Sequence, residues 1–99
     1  MQYEFNEDDS RVSISGEFTF TDHVAFKAIA TRLFENSGKP IVIDLASLEF
    51  IDSAGLGMLL IVRDEAGKAS RKLILRSPNG QVKRMFEVTK FGTLFDVEA

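Results

Sequence analysis

The chain has 99 residues, 44% of them hydrophobic, enough for one buried core and too few for a second. Its formal net charge is −3, with scattered basic residues, which argues against the basic patch of a nucleic-acid-binding domain. There is no cysteine, which excludes a disulfide framework and thiolate chemistry, and a single histidine, which argues against a metal site built on several His or Cys ligands.

Tyr3 and Phe5 alternate with polar neighbours, Asp8-Asp9-Ser10 reads as a turn, and Val12 and Ile14 alternate with Ser13 and Ser15. The opening is therefore expected to be a short hairpin. Met1 to Asp9 lacks the basic and apolar regions of a signal peptide. Gly16 is expected to end or bulge the second strand, with Phe18-Thr19-Phe20 leading out and Thr21 or Asp22 as N-cap of a helix. Phe26, Ile29, Ala30, Leu33 and Phe34 form one apolar stripe at helical spacing. Asn36-Ser37-Gly38-Lys39-Pro40 should stop that helix.

Ile41 to Leu45 is a short apolar run, the pattern of a central strand covered on both faces. A helix is expected after Ser53, apolar almost all round from Ala54 to Val62 and polar from Arg63, with Gly67 near its end. Lys68, Arg71 and Lys72 read as a solvated helix end and strand start. Leu73-Ile74-Leu75 is another buried strand, and Pro78 suits the first turn of a last helix with Val82, Met85, Phe86 and Thr89 on one face. Leu94, Phe95 and Val97 form a closing strand or a docked tail. The order β-β-α-β-α-β-α-(β) indicates an α/β fold, a mixed sheet of about four to five strands with helices packed on it. No apolar run approaches a membrane span, and Glu49 and Asp52 interrupt the most apolar region, so a single cytoplasmic domain over residues 1–99 is expected, without membrane insertion.

The most informative stretch is Ile51-Asp52-Ser53-Ala54-Gly55-Leu56-Gly57. It sets a small hydroxyl in the first turn of a helix, near unpaired N–H groups and the positive end of the helix dipole. A phosphate on that hydroxyl would be tolerated there. Each residue also has a purely structural reading. Ser53 and Asp52 can be helix caps, Asp44 can cap the loop after its strand or shape the rim beside Ser53, and Gly55 and Gly57 can be close-packing glycines. Phe18 and Phe20 read as core, with one of them able to face a partner. His23 reads as a surface residue at a helix start. Catalysis has little support: Ser53 lacks a Gly-x-Ser-x-Gly setting, and His23 would be the only candidate base. Gly-Leu-Gly lacks the fingerprint and lysine of a nucleotide loop. No cofactor and no metal are implied, and the chain is not expected to be an enzyme.

Phe50 to Gly57 resembles the phosphorylation loop of STAS domains, the family of anti-sigma factor antagonists. Gly16-Glu17-Phe18, Val42-Ile43-Asp44-Leu45, Pro78 with Val82-Lys83-Arg84-Met85-Phe86, and Gly92 with Phe95 resemble other family motifs in the right order. The resemblance implies that Ser53 is phosphorylated by an anti-sigma factor or related serine kinase and that a serine phosphatase restores it. It implies partner binding by Ser53, Ala54, Gly55, Leu56 and Gly57 with Asp52, together with the Thr19–His23 loop, where Thr19, Asp22 and His23 stand. Thr19 replaces the aspartate that many antagonists carry after Gly-Glu-Leu; Asp22 is the nearby acidic residue that could stand in for it. Thr19-Phe20-Thr21-Asp22-His23 looks like a proteobacterial branch in which a response-regulator phosphatase or kinase controls the antagonist. The alternative implied function is a constitutive structural STAS subunit of a transporter or signalling assembly; a nucleotide-binding module is a third.

Overall fold

The computed structural model describes residues 1–35 and 39–99. The expected helix stop at Asn36, Ser37 and Gly38 lies outside them. Strands β1 (Gln2–Phe5) and β2 (Arg11–Phe18) form the opening hairpin. Asp9 at its turn has φ of 58°. Its carboxylate accepts two 3.0 Å hydrogen bonds from Arg32, whose guanidinium lies 4.0 Å from the centre of the Phe5 ring. Gly16, at φ of 79°, adopts a left-handed conformation open to glycine, and the register shifts between Gly16 and Glu17. The strand survives this bulge and runs on to Phe18.

A short 3-10 turn (Phe20–Asp22) leads into α1 (His23–Glu35). Thr19 caps the 3-10 turn, where the Asp22 carboxylate reaches back to accept the Thr19 N–H at 2.9 Å, and Asp22, one of the two expected cap positions, directly precedes the first residue of α1. Phe26, Ile29, Ala30 and Leu33 are buried, as the stripe requires, and Phe34 is half-buried.

Strand β3 (Ile41–Asp44) lies between β2 and β5 (Leu73–Arg76), parallel to both, which explains its unbroken apolar run. Strand β4 (Leu48–Ile51) has no counterpart among the sequence expectations. It pairs parallel with the distal half of β2. The partner offset changes by one residue between Ser13–Asp44 and Gly16–Leu48, so β3 and β4 follow β2 as one interrupted strand. Strand β6 (Asp96–Glu98) closes the far edge parallel to β5, so the sheet is mixed and six-stranded, in the order β1-β2-β3-β5-β6 with β4 on β2.

Helix α2 (Ser53–Lys68) follows β4 directly, and α3 (Gly80–Val88) follows β5. Pro78 lies before Asn79, the N-cap of α3, not in its first turn. Val82 and Phe86 are buried, Met85 is packed against the core, and Thr89 caps the helix, donating its hydroxyl to the Met85 carbonyl at 2.6 Å. Phe86, Phe91 and Phe95 stack in series, at 6.3 and 5.5 Å between ring centres, and dock the segment leading to β6. One hydrophobic core joins the helices and strands, with Phe18, Ile14, Ile43, Leu45 and Leu59 fully buried.

Phe18 is fully buried, and its ring centre lies 4.7 Å from that of Phe26. Phe18→Ala should cost about 3–5 kcal/mol, as for other large-to-small core changes. Urea unfolding checks this, with a lowered midpoint and little change in slope as the expected outcome.

Candidate functional site

Ser53 is the first residue of α2 and is exposed. Its position follows from the backbone on either side. Asp52 N–H donates to the Phe18 carbonyl at 3.2 Å, extending the β2–β4 ladder by one rung. The next residue must then leave the sheet, and Asp52 is built for that corner, with φ of −99° and ψ of 180°.

The Asp52 carboxylate bridges two elements. Oδ1 accepts the Gly55 N–H at 2.8 Å, capping α2, and Oδ2 accepts the Phe20 N–H at 3.1 Å, 32 residues away. The Asp52 carbonyl takes the Leu56 N–H at 3.0 Å. Asp52 is therefore both N-cap and tether for the loop beside Ser53. With Gly55 and Leu56 N–H satisfied, the first helical N–H groups, those of Ser53 and Ala54, remain for an anion on the Ser53 hydroxyl.

The glycines differ. A Cβ on Gly55 would lie 2.8 Å from the Phe18 carbonyl oxygen and 2.7 Å from Ile51 Cγ1, so the helix start can approach β2 only without a side chain. A Cβ on Gly57 would meet nothing within 4 Å. Gly55 is thus the close-packing glycine, and Gly57 is not one, contrary to the sequence expectation.

The structure brings Thr19, Asp22, His23, Asp52, Ser53, Ala54 and Gly57 to one end of the molecule, through the Asp52–Phe20 bond. Within the Ser53 stretch only Ser53 is exposed, with Ala54 and Gly57 half-buried. Gly55 and Leu56, expected in the docking surface, are buried, because the inward face of α2 needs them for the core. Asp22 is partly buried; one oxygen holds Thr19 N–H and the other lies 3.4 Å from the Met1 amino nitrogen. It shapes the turn and does not project as a free charge. Asp44 likewise caps its own loop, accepting the Ala46 N–H at 2.9 Å.

Two exposed apolar side chains flank this end: Phe20 is 71% and Val24 81% exposed. Phe18 is the last residue of β2 and is buried, whereas Phe20 lies beyond the strand in the 3-10 turn and is exposed, so Phe18 is core and Phe20 is not. Val24 was visible as an apolar residue off the Phe26–Ile29–Leu33 stripe. Ile61 is also exposed and lines a groove between α1 and α2 with His23, Lys27 and Met58. Among the described residues, no group of His, Cys, Asp or Glu is arranged to hold a metal, and no helix is long and apolar enough to cross a membrane.

Comparison with known proteins places the fold. The family model described as Mlab, STAS domain matches residues 1–96. A STAS-domain containing protein of Pseudomonas aeruginosa is 30% identical over 86 residues, covering 87% of this chain and 84% of that protein. BtrV of Bordetella bronchiseptica, named as a candidate anti-sigma factor antagonist, is 33% identical over 57 residues, 58% of this chain and about half (49%) of its own length. A crystal structure of a candidate anti-sigma factor antagonist from Thermotoga maritima superposes with a TM-score of 0.78 at 23% identity, covering 99% of this chain and 85% of that one. The anti-sigma factor antagonist SpoIIAA in its unphosphorylated form gives 0.71 at 24% identity, covering 99% and 86%. The chain belongs to the STAS family, and its fold is that of the anti-sigma factor antagonists.

The glycine contrast generates a paired expectation. Gly55→Ala should destabilise the domain by about 1–3 kcal/mol, in the range of overpacking. Gly57→Ala should stabilise it by about 0.5–1 kcal/mol through helix propensity. Denaturant melts of the two single variants, read side by side, decide it.

Proposed function

We propose that this STAS domain is an anti-sigma factor antagonist whose binding is gated by phosphorylation of Ser53. The observation that carries the reading is an exposed hydroxyl at the start of α2, tied through Asp52 to a turn that displays Phe20. Unmodified, the end formed by Ser53, Ala54 and Gly57 with the Thr19–His23 turn docks on an anti-sigma factor or related serine kinase. Phe20 and Val24 supply the apolar contact and Ser53 sits at its margin. A kinase transfers a phosphoryl group from its nucleotide to Ser53 Oγ and takes up the hydroxyl proton; a phosphatase hydrolyses the ester and returns the hydroxyl.

The physics of the switch lies in what the phosphate meets. It adds about −1.5 to −2 charge at pH 7. Within the domain, that charge faces helix N–H groups and the positive end of the α2 dipole, so the fold tolerates it. In a docked complex it lies beside Asp52 and must be paired by the partner, or it costs several kcal/mol through desolvation. Phosphorylation therefore releases the partner and leaves the domain folded. The binding function needs no chemistry from this chain, which acts as substrate of the kinase and phosphatase. The domain is taken to be one unit over residues 1–99 acting in the cytoplasm.

Three variants test the reading on protein purified with its partner from the native host. Ser53→Ala should keep binding, and Ser53→Asp should weaken it by at least about 100-fold, or about 2.7 kcal/mol. Phe20→Ala should weaken binding about tenfold or more. All three should melt within about 4 °C of wild type, as exposed substitutions usually do. A Ser53→Asp chain that binds as tightly as wild type, with no phosphate on Ser53 in cells, would favour a constitutive STAS subunit instead.

A further inference from the structure

Strand β4 ends two residues before Ser53, yet among the described residues no strand pairs with its outer edge. β2 pairs with one side of it. On the other, Gln81 of α3 stands where a neighbouring strand would be. Gln81 Oε1 accepts the Ile51 N–H at 2.9 Å, and Gln81 Nε2 donates to the Ile51 carbonyl at 3.0 Å. One carboxamide thus supplies both halves of a ladder rung to a single residue. Asn79, two positions earlier, donates to the Ala46 carbonyl at 2.9 Å and steadies the break between β3 and β4.

We propose that Gln81 is the positioning residue of the phosphoacceptor turn. The path from Ile51 to Ser53 has no slack. Asp52 is held to Phe18 through its N–H and to Gly55 and Phe20 through its carboxylate. Where Ile51 sits therefore decides where the first turn of α2 begins and where the Ser53 hydroxyl points. Gln81 itself rides on a helix anchored in the core by Val82 and Phe86. Among acyclic side chains at this reach, only a carboxamide or a protonated carboxylic acid sets a donor and an acceptor side by side on one terminal carbon, matching the paired N–H and carbonyl of Ile51. Methionine fills a similar volume and satisfies neither Ile51 group. The functional meaning of this placement rests on Ser53 being the phosphoacceptor; the placement itself does not.

The test is a pair of substitutions followed by backbone amide spectra. In Gln81→Glu at pH 7, the carboxylate can accept from Ile51 N–H but faces the Ile51 carbonyl without a proton. The amide signals of Ile51 to Gly55 should shift, and acidification through the titration of Glu should return them towards wild type, since the protonated acid restores both bonds. In Gln81→Met the same signals should shift at every pH, and the Ile51 amide should exchange with solvent at least about tenfold faster. Unmoved Ile51–Gly55 signals in the methionine variant, or a glutamate variant with no recovery on acidification, overturns the proposal. In the native host, phosphate on Ser53, read by intact mass, should fall at least about threefold in Gln81→Met. Equal occupancy in variant and wild type overturns the functional half. A wild-type chain never phosphorylated overturns the phosphoacceptor reading, while the amide spectra still decide the role of Gln81.

Discussion

The fold turns on how closely the start of one helix approaches one carbonyl group. α2 can leave the sheet immediately after β4 only because Gly55 has no Cβ to press on the Phe18 carbonyl oxygen. That approach leaves a tight corner, and the Asp52 carboxylate fills it with one bond into the helix and one into the turn after β2. Ser53 is exposed as a result of this geometry. The residues around it are spoken for by the core and the corner, and the hydroxyl is the first group past them.

The same arrangement separates two electrostatic environments. Towards the domain, Ser53 looks at helix N–H groups whose dipole favours negative charge. Away from it, the neighbouring charge is Asp52 itself, already committed to two hydrogen bonds. A group placed there can be neutral or strongly anionic without disturbing the packing beneath, whereas a surface laid over it cannot be indifferent to the difference. The binding switch proposed for Ser53 needs that asymmetry, and it follows from putting a small hydroxyl at a helix N-terminus instead of mid-helix.

Much of this was legible in the residues because it follows from local pattern. Hairpin alternation, the Phe26–Leu33 stripe, the unbroken Ile41–Ile43 run and the Asp-Ser-x-Gly helix start all carry their own periodicity or cap chemistry. What escaped the pattern is held by distant partners. Leu48-Glu49-Phe50-Ile51 has its buried residues three apart, so nothing in it alternates, and only β2 and Gln81 make it a strand. Gln81 itself reads as an ordinary polar helix residue until Ile51 is placed 30 positions away beside it. Leu56 and Gly55 lie in the recognisable motif, but which face of the helix they occupy depends on where β2 passes. The motif marked the neighbourhood of the candidate site, and tertiary packing sorted its members into those that face out and those that hold the others in place.

Phe20 and Val24 bear almost no weight in the core, although they stand beside the most constrained corner of the domain. Substitution there is cheap in stability, unlike substitution at Gly55 or Phe18, so the two positions are free to drift. If they form the proposed docking contact, a cell carrying several duplicated copies of such a domain could insulate parallel pathways from cross-talk by varying these two side chains alone. The corner beneath would be inherited unchanged, and divergence in wiring would outrun divergence in architecture.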